Sequence, residues 1–159
     1  MRAGAASKGE WAVMFIPAAR RSITIESAKR PLSVVLPGFI FFGISTRYYV
    51  WAMKGQAFDP RAPMFNAPVP NVHGNGSICF GQNKPPRATG AKIADAWLMF
   101  ITSPFNSDLA TGKSKQHKSN ALAALRAFAK EDAYPHADLL PARSYRNTVD
   151  AIIDDLIKE

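Results

Sequence analysis

The chain has 159 residues, 47% of them apolar and 11% aromatic, enough for one domain with a real core and too apolar for a disordered tail. A single cysteine excludes an internal disulfide framework and a cysteine-rich zinc site. His73, His117 and His136 lack the close spacing of metal pairs, so neither a metal nor a cofactor is expected. The net charge of +8 is concentrated in residues 1–118, a field that attracts acidic proteins or nucleic acid and serves equally as a solubility device.

Residues 1–10 are small and polar, without the apolar segment of a secretory signal, and read as a flexible N-terminus ahead of a domain spanning 11–159. A cytoplasmic protein is expected. Residues 11–16 and 22–26 read as short strands joined by an exposed connection that holds Pro17, Arg20 and Arg21. Residues 31–53 are apolar enough to raise the question of a membrane span. Pro37-Gly38 and Ser45-Thr46-Arg47 leave runs far short of the roughly 20 residues a span needs, and β-branched and aromatic enrichment points to core strands. Residues 38–44 and 48–53 are expected to pair as an antiparallel hairpin.

Pro60, Pro63, Pro68 and Pro70 then impose a rigid, irregular path leading to Cys79, followed by a loop stiffened by Pro85-Pro86 that carries Lys84 and Arg87. If those two cations approach the thiol they would lower its pKa. A helix is predicted over 91–102, with Ile93, Trp97, Phe100 and Ile101 on one face, Thr89 or Gly90 near its cap and Pro104 ending it. Residues 103–120 are polar, with Lys113, Lys115, His117 and Lys118 clustered, and read as a solvated loop or a partner-docking segment. A second helix is predicted from Asn120 to Lys130 and a third over 144–158, burying Val149, Ile152, Ile153 and Leu156. Strands followed by helices imply an α+β domain, an antiparallel sheet covered on one side.

The Thr111-Gly112-Lys113-Ser114 segment ends like a phosphate-binding loop, but it lacks the other glycine and a preceding strand. The most informative stretch is Asn71-Val72-His73-Gly74-Asn75-Gly76-Ser77-Ile78-Cys79. Asn75-Gly76 predicts a type I′ turn, which would put Cys79 just past a turn and not deep in an element. From the residues alone, a lone cysteine is also a common small buried hydrophobe. His73 is the nearest candidate base in sequence, and six residues of separation are no evidence of a catalytic dyad.

Residues 70–79 resemble the active-site segment of ubiquitin-conjugating (E2) enzymes. In that family His-Pro-Asn is followed, eight residues after the asparagine, by the acceptor cysteine, commonly within Asn-Gly-Ser-Ile-Cys. Pro70 and Asn71 stand at the matching distances from Cys79, and residues 75–79 match letter for letter. The sequence departs at Val69, where the family has histidine, and the family's first helix has no counterpart before Trp11. With Trp11 through Arg21, residues 49–55, Phe65-Asn66-Ala67-Pro68 and Trp97 through Phe105, it is most similar to prokaryotic E2-like family D, and within it to the PRTRC protein B family of bacterial mobile elements. The resemblance implies a ubiquitin-conjugating-like fold, a ThiF/E1-type adenylating partner and a ubiquitin-like modifier held as a thioester on Cys79. It further implies an acidic residue beyond the helix, Asp108, that orients or deprotonates an incoming amine. Asn71 would donate to an oxyanion or else fix the loop through Asx-type hydrogen bonds. The readings kept beside this one are a non-catalytic E2-like binding module and a basic nucleic-acid-associated factor.

Overall fold

The computed structural model describes residues 1–143 and 146–158. Among them, seven strands precede the helices: β1 (Arg2–Ala6), β2 (Gly9–Ile16), β3 (Ala19–Ile23), β4 (Leu32–Leu36), β5 (Gly38–Ile44), β6 (Arg47–Met53) and β7 (Phe65–Asn66). Helices α1 (Ile93–Thr102), α2 (Ala121–Ala127) and α3 (Val149–Lys158) follow, with one 3-10 turn at His136–Asp138. The fold is α+β. Among the described residues, no helix is long and apolar enough to cross a membrane.

The antiparallel sheet runs in the order β1-β2-β5-β6-β7, and β3-β4 form a separate two-stranded sheet. The two sheets belong to one long hairpin. Ile16 pairs with Phe39 and Ala19 with Leu36, so the register continues without a slip across a break occupied by Pro17 and Pro37. Neither proline has an N–H to give to the ladder, which interrupts the hairpin where both fall. The connection expected over 17–21 is therefore confined to two residues, because Ala19, Arg20 and Arg21 belong to β3.

Every residue of β5 is buried, which requires that the sheet be covered on both faces. One face holds Phe39, Phe41, Tyr48, Val50 and Ala52 against α1 and α2. Trp97 of α1 lies between Phe39 and Phe41, its ring 5.6 Å and 5.4 Å from theirs. The other face holds Ile40, Phe42, Ile44, Tyr49, Trp51 and Met53 against Val149, Ile152, Ile153 and Leu156 of α3. The expectation of a sheet covered on one side is thus corrected. Alternation on β5 puts aromatic or branched side chains on both faces, and α3 closes the second.

The first ten residues, read as a flexible N-terminus, contain β1, which pairs with β2 from Arg2↔Val13 to Ala6↔Gly9. Helix α1 starts at Ile93, with the Thr89 hydroxyl accepting from the Lys92 N–H. Asn120 caps α2, its Oδ1 accepting from the N–H groups of Leu122 and Ala123. That helix stops at Ala127, short of the expected Lys130. Just beyond it, the Arg20 guanidinium takes the carbonyls of Ala129 and Glu131. The expected start of the last helix at Ser144 lies outside the described residues; the helix is formed from Val149 and buries the four side chains expected of it.

Candidate functional site

The Cys79 segment is a small hairpin laid against the edge of β6. Val72 bridges Ile78, while the returning arm gives the Gly76 carbonyl to the Val50 N–H at 2.9 Å and the Ile78 N–H to the Tyr48 carbonyl at 2.9 Å. The turn is not type I′. The Gly76 N–H closes on the His73 carbonyl and Gly76 alone of the tip takes a left-handed φ, +88°, which describes a type I turn at Gly74-Asn75 with a bulge at Gly76. Asn75 contributes its side chain: Oδ1 accepts from the Ser77 N–H and hydroxyl. A side chain at Gly76 would collide with the Trp51 indole, so the hairpin tip seats directly on the sheet.

This docking leaves Cys79 exposed at the end of the arm, with a free thiol. The next residue, Phe80, anchors the chain by packing edge-on against Tyr48 and Phe100. On the opposite wall, Phe105 is buried beneath Phe100, and residues 24–26 pair with it through the Glu26 N–H and the Thr24 carbonyl. Asn106 folds the chain back with its Oδ1 on the Asp108 N–H and its amide on the Asp108 carboxylate. Between the two walls lies a groove of about 140 Å³ that brings Cys79, Asn71 and Asp108 together. Phe80 and Phe100 supply its apolar surface, and Ser103, Pro104 and Asn106 most of the remaining rim. Lys84 and Arg87 do not line it, although Gly81 does and the Asn83 amide donates to the Ser103 hydroxyl on its rim.

Asn71 joins the walls through its backbone. Its N–H donates to the Asp108 carbonyl at 3.0 Å and its carbonyl accepts from the Cys79 N–H at 2.9 Å. It adopts φ +60°, a left-handed conformation that asparagine tolerates better than other side chains. The Asx-type hydrogen bonds expected of Asn71 are made instead by Asn75 and Asn106. Val69 is fully buried in the core. The position at which the resembled motif has histidine is thus filled with apolar packing, and the loop is held by main-chain bonds.

A model of prokaryotic E2 family D matches residues 4–142, nearly the whole chain and both walls of the groove. The chain belongs to this family. No curated protein and no solved structure matches it. Within the family assignment, the residues singled out by motif, Cys79 and Asn71, and the one singled out by loose alignment, Asp108, share one groove.

Sequence reasoning missed what holds the second wall. Residues 103–120 are not a solvated loop throughout: Lys113 and Ser114 are only 2% and 0% exposed. Buried Asp138 organises the segment, accepting from the Ser114 hydroxyl, the Gln116 N–H and the Tyr134 hydroxyl. Burial, together with the Asp138 charge and this bond, drives the Tyr134 pKa upward. Lys113 points inward and donates from Nζ to the Val72 carbonyl at 2.7 Å, with the His73 carbonyl at 3.5 Å. Burial lowers its pKa to about 8. In sequence Lys113 is indistinguishable from Lys115 and Lys118; only the adjacent Gly112, at φ +69°, and Ser114 hint that the chain turns inward there.

Proposed function

We propose that this protein is an E2-like carrier that takes a ubiquitin-like modifier from a ThiF/E1-type adenylating enzyme as a thioester on Cys79 and passes it to an amine, within a PRTRC cassette. The observation that carries this reading is the exposed Cys79 thiol in a groove whose only other ionisable group, among the described residues, is Asp108. A thioester carrier needs a reachable thiolate, a channel for an extended C-terminus, and a polar group near the reacting carbonyl. In the loading step the Cys79 thiolate attacks the activated C-terminal carbonyl carbon, forming the new C–S bond while the activating group leaves with its bonding electrons. In discharge, an amine nitrogen attacks the same carbon, the C–S bond breaks to return the Cys79 thiolate, and the amine proton passes to the Asp108 carboxylate or to water. The Asn71 amide, on the rim, is suited to donate to the tetrahedral oxyanion.

The test is incubation with the adenylating protein, the modifier and ATP. A thiol-sensitive adduct is expected on the wild type, a slower-forming, thiol-resistant oxyester on Cys79→Ser, and none on Cys79→Ala. An adduct that survives in Cys79→Ala would sink the assignment. A stable complex without adduct would instead identify a binding module, and salt-sensitive DNA binding with neither would identify a nucleic-acid-associated factor. Asp108→Asn is expected to load normally and to discharge to amines more slowly, by about 10²-fold.

A further inference from the structure

We propose that Lys113 is a positioning residue whose buried Nζ, hydrogen-bonded to the Val72 and His73 carbonyls, clamps the Cys79 hairpin to the segment that carries Asp108 and so fixes the spacing of the groove. The consequence for transfer rests on the carrier reading above; the clamp itself does not.

Three observations carry it. First, a lysine is almost never fully buried unless something compensates for lost hydration. Here no carboxylate lies within ion-pair distance among the described residues, so the compensation comes from main-chain carbonyls of the hairpin. Second, the two carbonyls belong to the residues that follow Asn71 directly, whereas Lys113 lies five residues beyond Asp108. The bond therefore spans the same two walls as the Asn71 N–H to Asp108 carbonyl bond, and the pair forms a two-point attachment. Third, Leu109, between Asp108 and Lys113, holds φ +54°, a conformation that a leucine keeps only when its surroundings impose it. An attachment on each side of Leu109 supplies that constraint.

Hydrogen exchange separates a clamp from general stabilisation. In Lys113→Met the amides of Asn71, His73 and Cys79 are expected to exchange about tenfold faster or more, while those of β5 keep their protection. Equal loss at the hairpin and in β5, or no loss at the hairpin, overturns the clamp. Should the variant fail to fold, the wild type decides. The titratable groups on the elements around Lys113 are His73 on the hairpin, Tyr134 just before the 3-10 turn and His136 and Asp138 within it, and Asp108, Lys115, His117 and Lys118 on its own segment. If opening the hairpin hydrates Lys113, the open state binds the extra proton. Hairpin protection, corrected for intrinsic exchange, then rises roughly tenfold between pH 7.5 and 9.5. A flat profile means that opening does not release Lys113, and the proposal fails.

Discharge of a preformed adduct should slow in Lys113→Met more than loading does; unchanged discharge despite lost hairpin protection overturns the link to groove spacing. A wild type that forms no adduct removes the carrier reading, while hydrogen exchange still decides the clamp.

Discussion

The β5–β6 hairpin and the segment over 103–120 bury their side chains for opposite reasons. In β5 and β6 nearly every residue is apolar, and burial follows from transfer out of water whatever the partner. In the second segment Lys113 and Ser114 are buried by being bonded: Asp138 and the hairpin carbonyls replace the water that those groups lose. The difference is one of tolerance. The hairpin can lose a contact and remain a sheet, whereas removal of one acceptor from the polar segment orphans several donors at once. It also explains where the groove sits: its rigid floor is built on the apolar region, and its far wall is held by polar bonds that can be weakened without unfolding the sheet.

The largest effect tests the apolar half. Phe41→Ala removes a ring that packs on both Trp97 and Tyr48, and should destabilise by about 3–5 kcal/mol in urea unfolding, all spectroscopic probes moving together. A loss below 1 kcal/mol would mean that the hairpin is not the centre of the core. Next, Asp138→Ala leaves the Ser114 hydroxyl, the Gln116 N–H and the Tyr134 hydroxyl short of an acceptor. Its expected cost is about 2–3 kcal/mol, with proteolytic sensitivity appearing first in residues 111–118. Protease cuts spread evenly over the chain would erase the contrast between the regions.

Alkaline pH sharpens the comparison, because the apolar half has no lysine to respond. Lys113 is pushed down to about 8 from an ordinary 10.5, so between these values the unfolded chain holds a proton that the folded protein has released. Stability contributed by this group therefore rises with pH from about 8 toward 10.5. Above about pH 10 the tyrosines oppose it. Tyr48, raised to about 12 chiefly by burial, and Tyr134, raised further, stay neutral in the fold while the unfolded chain ionises. Urea midpoints at pH 7.5, 9 and 10 should increase in the wild type, and Lys113→Met should flatten that increase.

The smallest expected stability change, at Asn71, separates backbone from side chain. Asn71→Ala should lose about 1 kcal/mol because alanine is disfavoured at φ +60°, whereas Asn71→Gly should be nearly neutral. If the amide serves the oxyanion, both variants slow transfer by about 10²-fold. If the glycine variant transfers at the wild-type rate, Asn71 acts only through its backbone.

Much of this was legible in the chain. The α+β order, the central hairpin, the apolar faces of α1 and α3, and the start of the second helix near Asn120 follow from alternation and helical spacing, which are properties of neighbours in sequence. The spacing of Asn71 and Asn75 from Cys79 was equally local, and it led to the residues that line the groove. Other features were beyond local reading. β1 is a strand because β2 offers an edge to Arg2 and four small residues without an apolar pattern of their own. The second face of the sheet is closed because α3 returns to it. The Gly76 bulge replaces a symmetric turn because the tip must clear Trp51. Lys113, one of three similar lysines, is selected by the geometry of two loops that meet only in the fold. Apolar burial is additive over nearby residues and leaves a pattern in the sequence; a buried polar bond depends on partners about 25 to 40 residues away, and only the tertiary structure decides them.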